Sequence, residues 1–233
     1  MTSKPVDLKP AIYTRVAVIL HWTIGAFVVL SLVIGYLIDA LLPFWRLIVV
    51  ELHASVGITI LLLTVVRVVW RLGHRPPAPL ATLHYWERFL ASAVHLGLYL
   101  AMILMPLSGW ALISANPPRG SAGWDVQTAK LPPRVKEALD KHGGLTFWNI
   151  ADLPLITPLA EIGSTPEGLK PQKRLHQNLA NGHKAGGFLL LGLLVLHIAG
   201  ALKHEWFDGH AALARMSIRW RGKHRGDQVG LQK

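Results

Sequence analysis

The sequence predicts an all-α integral membrane protein: a four-helix bundle with a long extracytoplasmic connection between helices 3 and 4. Three observations carry this expectation. Of 233 residues, 52% are hydrophobic and only 16% charged, against about 25% charged in a soluble domain. Four long apolar stretches recur, at about 16–38, 47–70, 89–113 and 183–203. Basic residues flank those stretches unevenly.

About 20 apolar residues at 1.5 Å rise cross a hydrocarbon core of ~30 Å, and in lipid only helices or closed barrels satisfy the backbone. The first stretch, Val16 to Ile38, carries no charge. It is too long for a signal-peptide apolar region and no small-residue cleavage pattern follows, so it reads as a span. The second, Leu47 to Trp70, is interrupted by Glu51 and Arg67; the third, Phe89 to Ile113, is uncharged. The fourth has Lys184 at its start. Residues 114–182 form the connection, rich in Pro and Gly (Pro117-Pro118, Pro132-Pro133, Gly143-Gly144), with a short amphipathic helix expected around Arg134–His142. A connection of that size is uncommon unless it has a role. Residues 204–233 form a basic tail. The whole chain reads as one membrane domain without internal repeats.

Charge sets the orientation. Lys4, Lys9 and Arg15 precede the first span. Arg67, Arg71, Arg75 and Arg88 lie between the second and third. Lys203, Arg215, Arg219, Arg221, Lys223, Arg225 and Lys233 follow the fourth, and only Arg46 lies between the first two. The positive-inside rule then places both termini in the cytoplasm of a multi-pass protein. Trp22, Trp70, Trp86 and Trp206 fall at the inner edge, Trp45 and Trp110 at the outer one, as an aromatic belt. The net charge of +11 belongs to these membrane flanks; no nucleic-acid recognition motif accompanies it. With no cysteine in the chain, disulfides, thiolate metal sites, iron–sulfur clusters and covalent haem attachment are excluded.

Twelve histidines are present, and ionisable residues at membrane depth are functional-site candidates. His183 and His197 are 14 residues apart, close to four helical turns, so they share a face about 21 Å apart. The first span starts inside, which puts His21 at the depth of His197. The second starts outside, which puts His53 at the depth of His183. The two resulting pairs, one per leaflet, each offer two imidazoles from different helices, the arrangement that bis-histidine ligation of haem iron needs. Gly25, Gly57 and Gly187 lie four residues after His21, His53 and His183, on the same helix face, where a flat macrocycle needs room. His197 has Ala201 there with Gly200 beside it, while His95 has the bulky Tyr99. A single membrane histidine can instead simply bond a neighbouring helix, and glycine also serves helix packing. Pairs ~21 Å apart do not build one polynuclear transition-metal site.

His95 shares the inner depth; it is either a hydrogen-bonded structural residue or a proton partner for a quinone. His74, His84, His204, His210 and His224 are expected in solvent at the membrane edges or in tails, and His142 and His176 carry no assignment. Arg67 and Arg71 stand where they would meet haem propionates, although either alone would more ordinarily snorkel to the interface.

These residues together resemble the bacterial cytochrome b561 family of small membrane dihaem cytochromes. The matching pieces are Tyr13-Thr14-Arg15 and Leu20-His21-Trp22, then Leu52-His53-Ala54-Ser55-Val56-Gly57. The third helix adds His95-Leu96-Gly97-Leu98-Tyr99 and Met105-Pro106-Leu107-Ser108-Gly109; the fourth adds Asn181-Gly182-His183 and Leu196-His197. The resemblance implies two non-covalent b haems, one on His21 and His197 and the other on His53 and His183, the same pairing that the depths give. It implies a bacterial inner-membrane protein that exchanges electrons between the quinone pool and a one-electron donor or acceptor at the periplasmic face. Oxidation of superoxide coupled to ubiquinone reduction is the concrete oxidoreductase reaction it suggests. Lys170, Lys173, Arg174 and Lys184 would favour approach of a small anion, or form only a solvated face. The connection is longer than in compact family members. Two alternatives stay open: the b-type cytochrome subunit of a membrane-bound dehydrogenase or hydrogenase complex, and a non-redox permease.

Overall fold

The computed structural model describes residues 13–40, 43–74, 84–141, 145–206 and 216. Outside these lie Lys4, Lys9, Arg75, His142, Gly143-Gly144, His210, His224 and the basic residues from Arg215 onward named above.

The chain is an all-α bundle. Four helices are long and apolar enough to cross a membrane: α1 (Arg15–Leu37), α2 (Pro43–Gly73), α3 (Tyr85–Ser114) and, last in the chain, α7 (Leu169–Trp206). Between α3 and α7 come three short helices, α4 (Ala122–Thr128), α5 (Pro133–Lys141) and α6 (Thr157–Ala160), and an antiparallel pair, β1 (Thr146–Phe147) and β2 (Ala151–Asp152). The amphipathic helix expected near 134–142 is α5.

Local signals explain the helix ends. Thr14 caps α1 by accepting from the Ala17 N–H at 3.3 Å, and Glu87 in the first turn of α3 accepts the His84 N–H at 3.0 Å. Ser121 caps α4, accepting from the Trp124 N–H at 3.1 Å.

The fourth helix departs from its hydropathy. It begins at Leu169, 14 residues before His183. At 38 residues it is about 57 Å long, well beyond a ~30 Å hydrocarbon core. Its first turns are polar and are held by side chains instead of lipid. Gln172 is buried and its amide donates to the carbonyls of Leu159 and Ala160 at 3.1 and 3.0 Å. His176 Nδ1 donates to the Ala115 carbonyl at 3.3 Å.

The core is a belt across the middle of the bundle: Ile24 and Val28 of α1, Val56 and Ile60 of α2, Met102 of α3 and Leu190 of α7. Leu190 lies midway between His183 and His197, seven residues from each. Most other large apolar side chains on the spans face outward, among them Val29, Val33, Leu62, Val66, Leu100, Leu104, Leu189 and Val195. Bilayer-facing side chains satisfy the hydrophobic effect against lipid, so outward-facing apolar residues are what a spanning bundle requires. α3 packs against α7, α1 against α2, and α2 against α3; neither α1 nor α2 packs closely on α7.

The connection is pinned onto α2 and α3 at the end of the bundle away from the start of α1 and the end of α7. Glu51 accepts the N–H of Thr146 at 2.9 Å and also its hydroxyl. Ser55 donates to the Thr146 carbonyl at 3.2 Å and accepts the Trp148 N–H at 3.0 Å. The Trp148 indole donates to Thr59 at 3.0 Å. On α3, Trp110 donates to the Pro154 carbonyl at 2.7 Å and Ser114 accepts the Ile156 N–H at 3.0 Å. Trp148 and Asn149 have φ of 51° and 57° and form the centre of the β1–β2 hairpin turn, where both central residues need positive φ.

Candidate haem sites

The bundle brings the predicted histidines together in two pairs. His21 of α1 and His197 of α7 have ring centroids 5.9 Å apart with planes at 80°. His53 of α2 and His183 of α7 are 6.1 Å apart at 82°. A metal held between two imidazoles needs about 2 Å to each nitrogen, so the ring centres then stand about 6 Å apart. Both pairs have that spacing, and the core belt separates them along the bundle. The side chains bridge helices that do not pack closely: α7 stands off from both α1 and α2.

The glycines test whether a flat group fits. A Cβ at Gly25, Gly57, Gly187 or Gly200 would meet nothing within 4 Å. Open space therefore borders the backbone one turn from His21, His53 and His183, and beside His197. A macrocycle with four ring nitrogens and a central metal needs two opposed imidazoles and flat, small walls, and the residues present fit it.

The surroundings of the two pairs differ. At the His53–His183 pair, Ser108 of α3 donates its hydroxyl to the Met105 carbonyl at 2.8 Å, and its oxygen lies 2.8 Å from His183 Nδ1. A serine has one proton to give, so His183 must donate here. That fixes the Nδ1–H tautomer and leaves the Nε2 lone pair available to a metal. The Ser31 hydroxyl lies 3.4 Å from His53 Nδ1. Gly109 and Gly35 let neighbouring helices approach these rings: a Cβ on either would come 3.2 Å from Cε1 of His183 or His53 respectively.

At the His21–His197 pair the neighbour is a cation. Arg67 Nη1 lies 3.0 Å from His21 Nδ1 and its Nε donates to the Tyr99 hydroxyl at 3.0 Å. Arg71 also reaches that hydroxyl, at 3.4 Å. Arg67 turns toward His21, and Tyr99, which on sequence alone only blocked space beside His95, is the anchor for both guanidiniums. His95 touches the pair from α3, its ring 5.0 Å from that of His197 at 88°. Its Nδ1 lies 2.6 Å from the Ala91 carbonyl, an obligate acceptor, so Nδ1 carries the proton and Nε2 is an acceptor. The side chain is exposed on the bundle surface.

Of the remaining histidines, His74 is exposed and stacks on Trp70 with centroids 3.9 Å apart, His84 is exposed, and His204 is half-buried. His176 is held at the foot of the α7 extension. Sequence reasoning missed Ser31 and Gly35, and it named Ser108 and Gly109 within a motif without giving either a role. A small polar residue beside or one turn from a glycine within a span signals close helix approach, and Ser108-Gly109 carried that signal.

A family model described as prokaryotic cytochrome b561 matches residues 12–217. The chain belongs to that family. Membership makes it a multi-pass membrane cytochrome of the b type. The chain is also 37% identical over 99 residues, 42% of its own length, to cytochrome b561 homolog 2 of Escherichia coli (strain K12). It spans about half (52%) of the length of that curated relative.

Proposed function

We propose that this cytochrome carries electrons across the bacterial inner membrane through two b haems, the inner held by His21 and His197 and the outer by His53 and His183. The observation that carries this proposal is the pair of opposed imidazole couples, 5.9 and 6.1 Å between ring centres, on helices that leave space between them. Bound haem supplies a one-electron couple at each level. The imidazoles hold it in register, the core belt excludes water between the levels, and α7, which contributes a ligand to each, fixes their separation.

With both termini in the cytoplasm, the outer pair faces the periplasm beneath the pinned connection. Lys170, Lys173, Arg174 and Lys184 line the outer stretch of α7, all of them exposed, and they favour an anionic one-electron donor. Superoxide meets that description, and a redox protein with an acidic face is the other donor class. Two superoxide ions oxidised to dioxygen yield two electrons, which with two protons convert one ubiquinone to ubiquinol. His95 offers Nε2 at the lipid-facing surface beside the inner pair, where a quinone arriving through the bilayer exchanges its protons.

The test is haem quantitation and a visible spectrum of wild type, His53→Ala and His197→Ala. Two b haems per chain are expected, with one lost or severely perturbed in each variant. A full, unperturbed complement in either variant overturns the ligand assignment.

A further inference from the structure

We infer that Arg67 and Ser108 set the direction of electron flow, by raising the reduction potential of the inner haem and lowering that of the outer one. This rests on the ligand pairs proposed above and goes beyond them, since paired histidines alone favour neither direction.

Both haems carry the same two propionates and the same ligand type. What distinguishes them is what the chain places beside each imidazole pair. Beside the inner pair, Arg67 lies 3.0 Å from His21 Nδ1, and Arg71 shares its tyrosine anchor. Neither guanidinium has a carboxylate partner among the described residues. The nearby Glu87 is engaged by Lys203 at 2.6 Å, and that pair cancels. Besides the propionates that both sites share, the inner site thus holds the half-buried Arg67 guanidinium, with the exposed Arg71 beyond it, and no carboxylate of the described residues pairs with either; charge sheltered from water acts most strongly. Positive charge favours the less positive, reduced iron.

Closest to the outer pair the charges balance, since Lys170, Lys173 and Arg174 lie nine or more residues before His183 on α7. Lys184 and Arg46 both pair with Asp39, at 3.4 and 3.2 Å, and Glu51, two residues before His53, is a further anion. In direct contact with the ring is an acceptor: Ser108 accepts the His183 Nδ1–H at 2.8 Å. A hydrogen bond of that sense raises ligand basicity and favours oxidised iron. The outer site is therefore the weaker oxidant and the inner site the stronger. Electrons delivered at the outer face run inward.

The experiment is a potentiometric titration of the full-length, haem-replete protein followed optically. The haem count and the His53→Ala and His197→Ala variants come first: they test the ligand assignment separately and show which midpoint belongs to which site. The midpoint that survives in His53→Ala is expected to be the higher. Arg67→Gln is expected to lower that midpoint by at least tenfold in the reduction equilibrium, about 59 mV for one electron, leaving the other in place, and Arg67→Lys to recover part of the shift. Ser108→Ala is expected to raise only the lower midpoint, and it decides the matter if Arg67→Gln fails to retain its inner haem. An inner midpoint at or below the outer one overturns the inference, as does an Arg67→Gln shift confined to the outer haem or a Ser108→Ala shift confined to the inner.

Discussion

Gly109 lies so close to the ring of His183 that a methyl group on its Cα would come 3.2 Å from the imidazole Cε1. Neighbouring Ser108 accepts the Nδ1–H of the same ring. Two consecutive residues of α3 thus fix both the position and the tautomer of a side chain on α7.

Gly109→Ala should displace that ring by a few tenths of an ångström and lengthen the serine contact. The expected outcome is an altered spectrum or reduced content of one haem only, with the other unchanged, read from low-temperature optical spectra. Gly73→Ala is the control: a Cβ there meets nothing within 4 Å at the end of α2, and both haems should be retained. If Gly109→Ala matches wild type in both haems, the close approach has no bearing on ligation.

His95 separates ligation from proton exchange. Its Nδ1 proton is committed to Ala91, and its ring meets that of His197 edge-on from α3. His95→Phe is expected to keep both haems and their spectra while slowing reduction of a soluble ubiquinone analogue on the order of 10²-fold, the lower end of what a positioned acid or base contributes. Stopped-flow measurement of haem reoxidation by the quinone reads this directly. An unchanged rate with both haems present removes His95 from the quinone path.

The anchoring of the connection makes a stability prediction. Ser55 is buried at 1% exposure and joins α2 to two backbone groups of the hairpin. Ser55→Ala leaves the Trp148 N–H and the Thr146 carbonyl without their partner, at a cost of about 1–3 kcal/mol. The turn adds to this, because non-glycine residues at positive φ are held only by what surrounds them. Faster limited proteolysis within the connection is expected, with both haems still bound. Protection equal to wild type would show that Glu51 and Thr59 hold the hairpin without Ser55.

The spans and the histidine pairs were legible because both are periodic. Apolar runs of bilayer length announce helices, and 14 residues between His183 and His197 fix their face and separation whatever surrounds them. What was not legible depends on residues far apart in the chain. Glu51 and Arg67 looked like interruptions of a span, because their partners lie 95 residues away at Thr146 and 46 and 32 residues away at His21 and Tyr99. The early start of α7 was hidden for another reason. Its first turns are polar, so hydropathy is silent there, and what holds them is the bonding of Gln172 and His176 to the connection. The Phe147–Ile150 turn carries no glycine to announce it.

Thr64 shows where packing and polarity conflict. It is fully buried, and among the described residues its hydroxyl is the buried side-chain polar atom that has no hydrogen-bond partner. It follows Val56 and Ile60 at four-residue intervals on the buried face of α2, beside the core belt. An orphaned buried hydroxyl costs about 1–3 kcal/mol, whereas a methyl group in its place keeps the shape and removes the penalty. Thr64→Val is therefore expected to stabilise the bundle by about 1 kcal/mol, or roughly 2–4 °C in thermal midpoint for a chain of this size. The measurement is thermal unfolding in detergent, with haem content confirmed equal in both proteins. A fall in the midpoint would mean that the hydroxyl is bonded in the working protein, to the carbonyl one turn back on its own helix or to the bound cofactor, and that polarity at this point in the core contributes to stability.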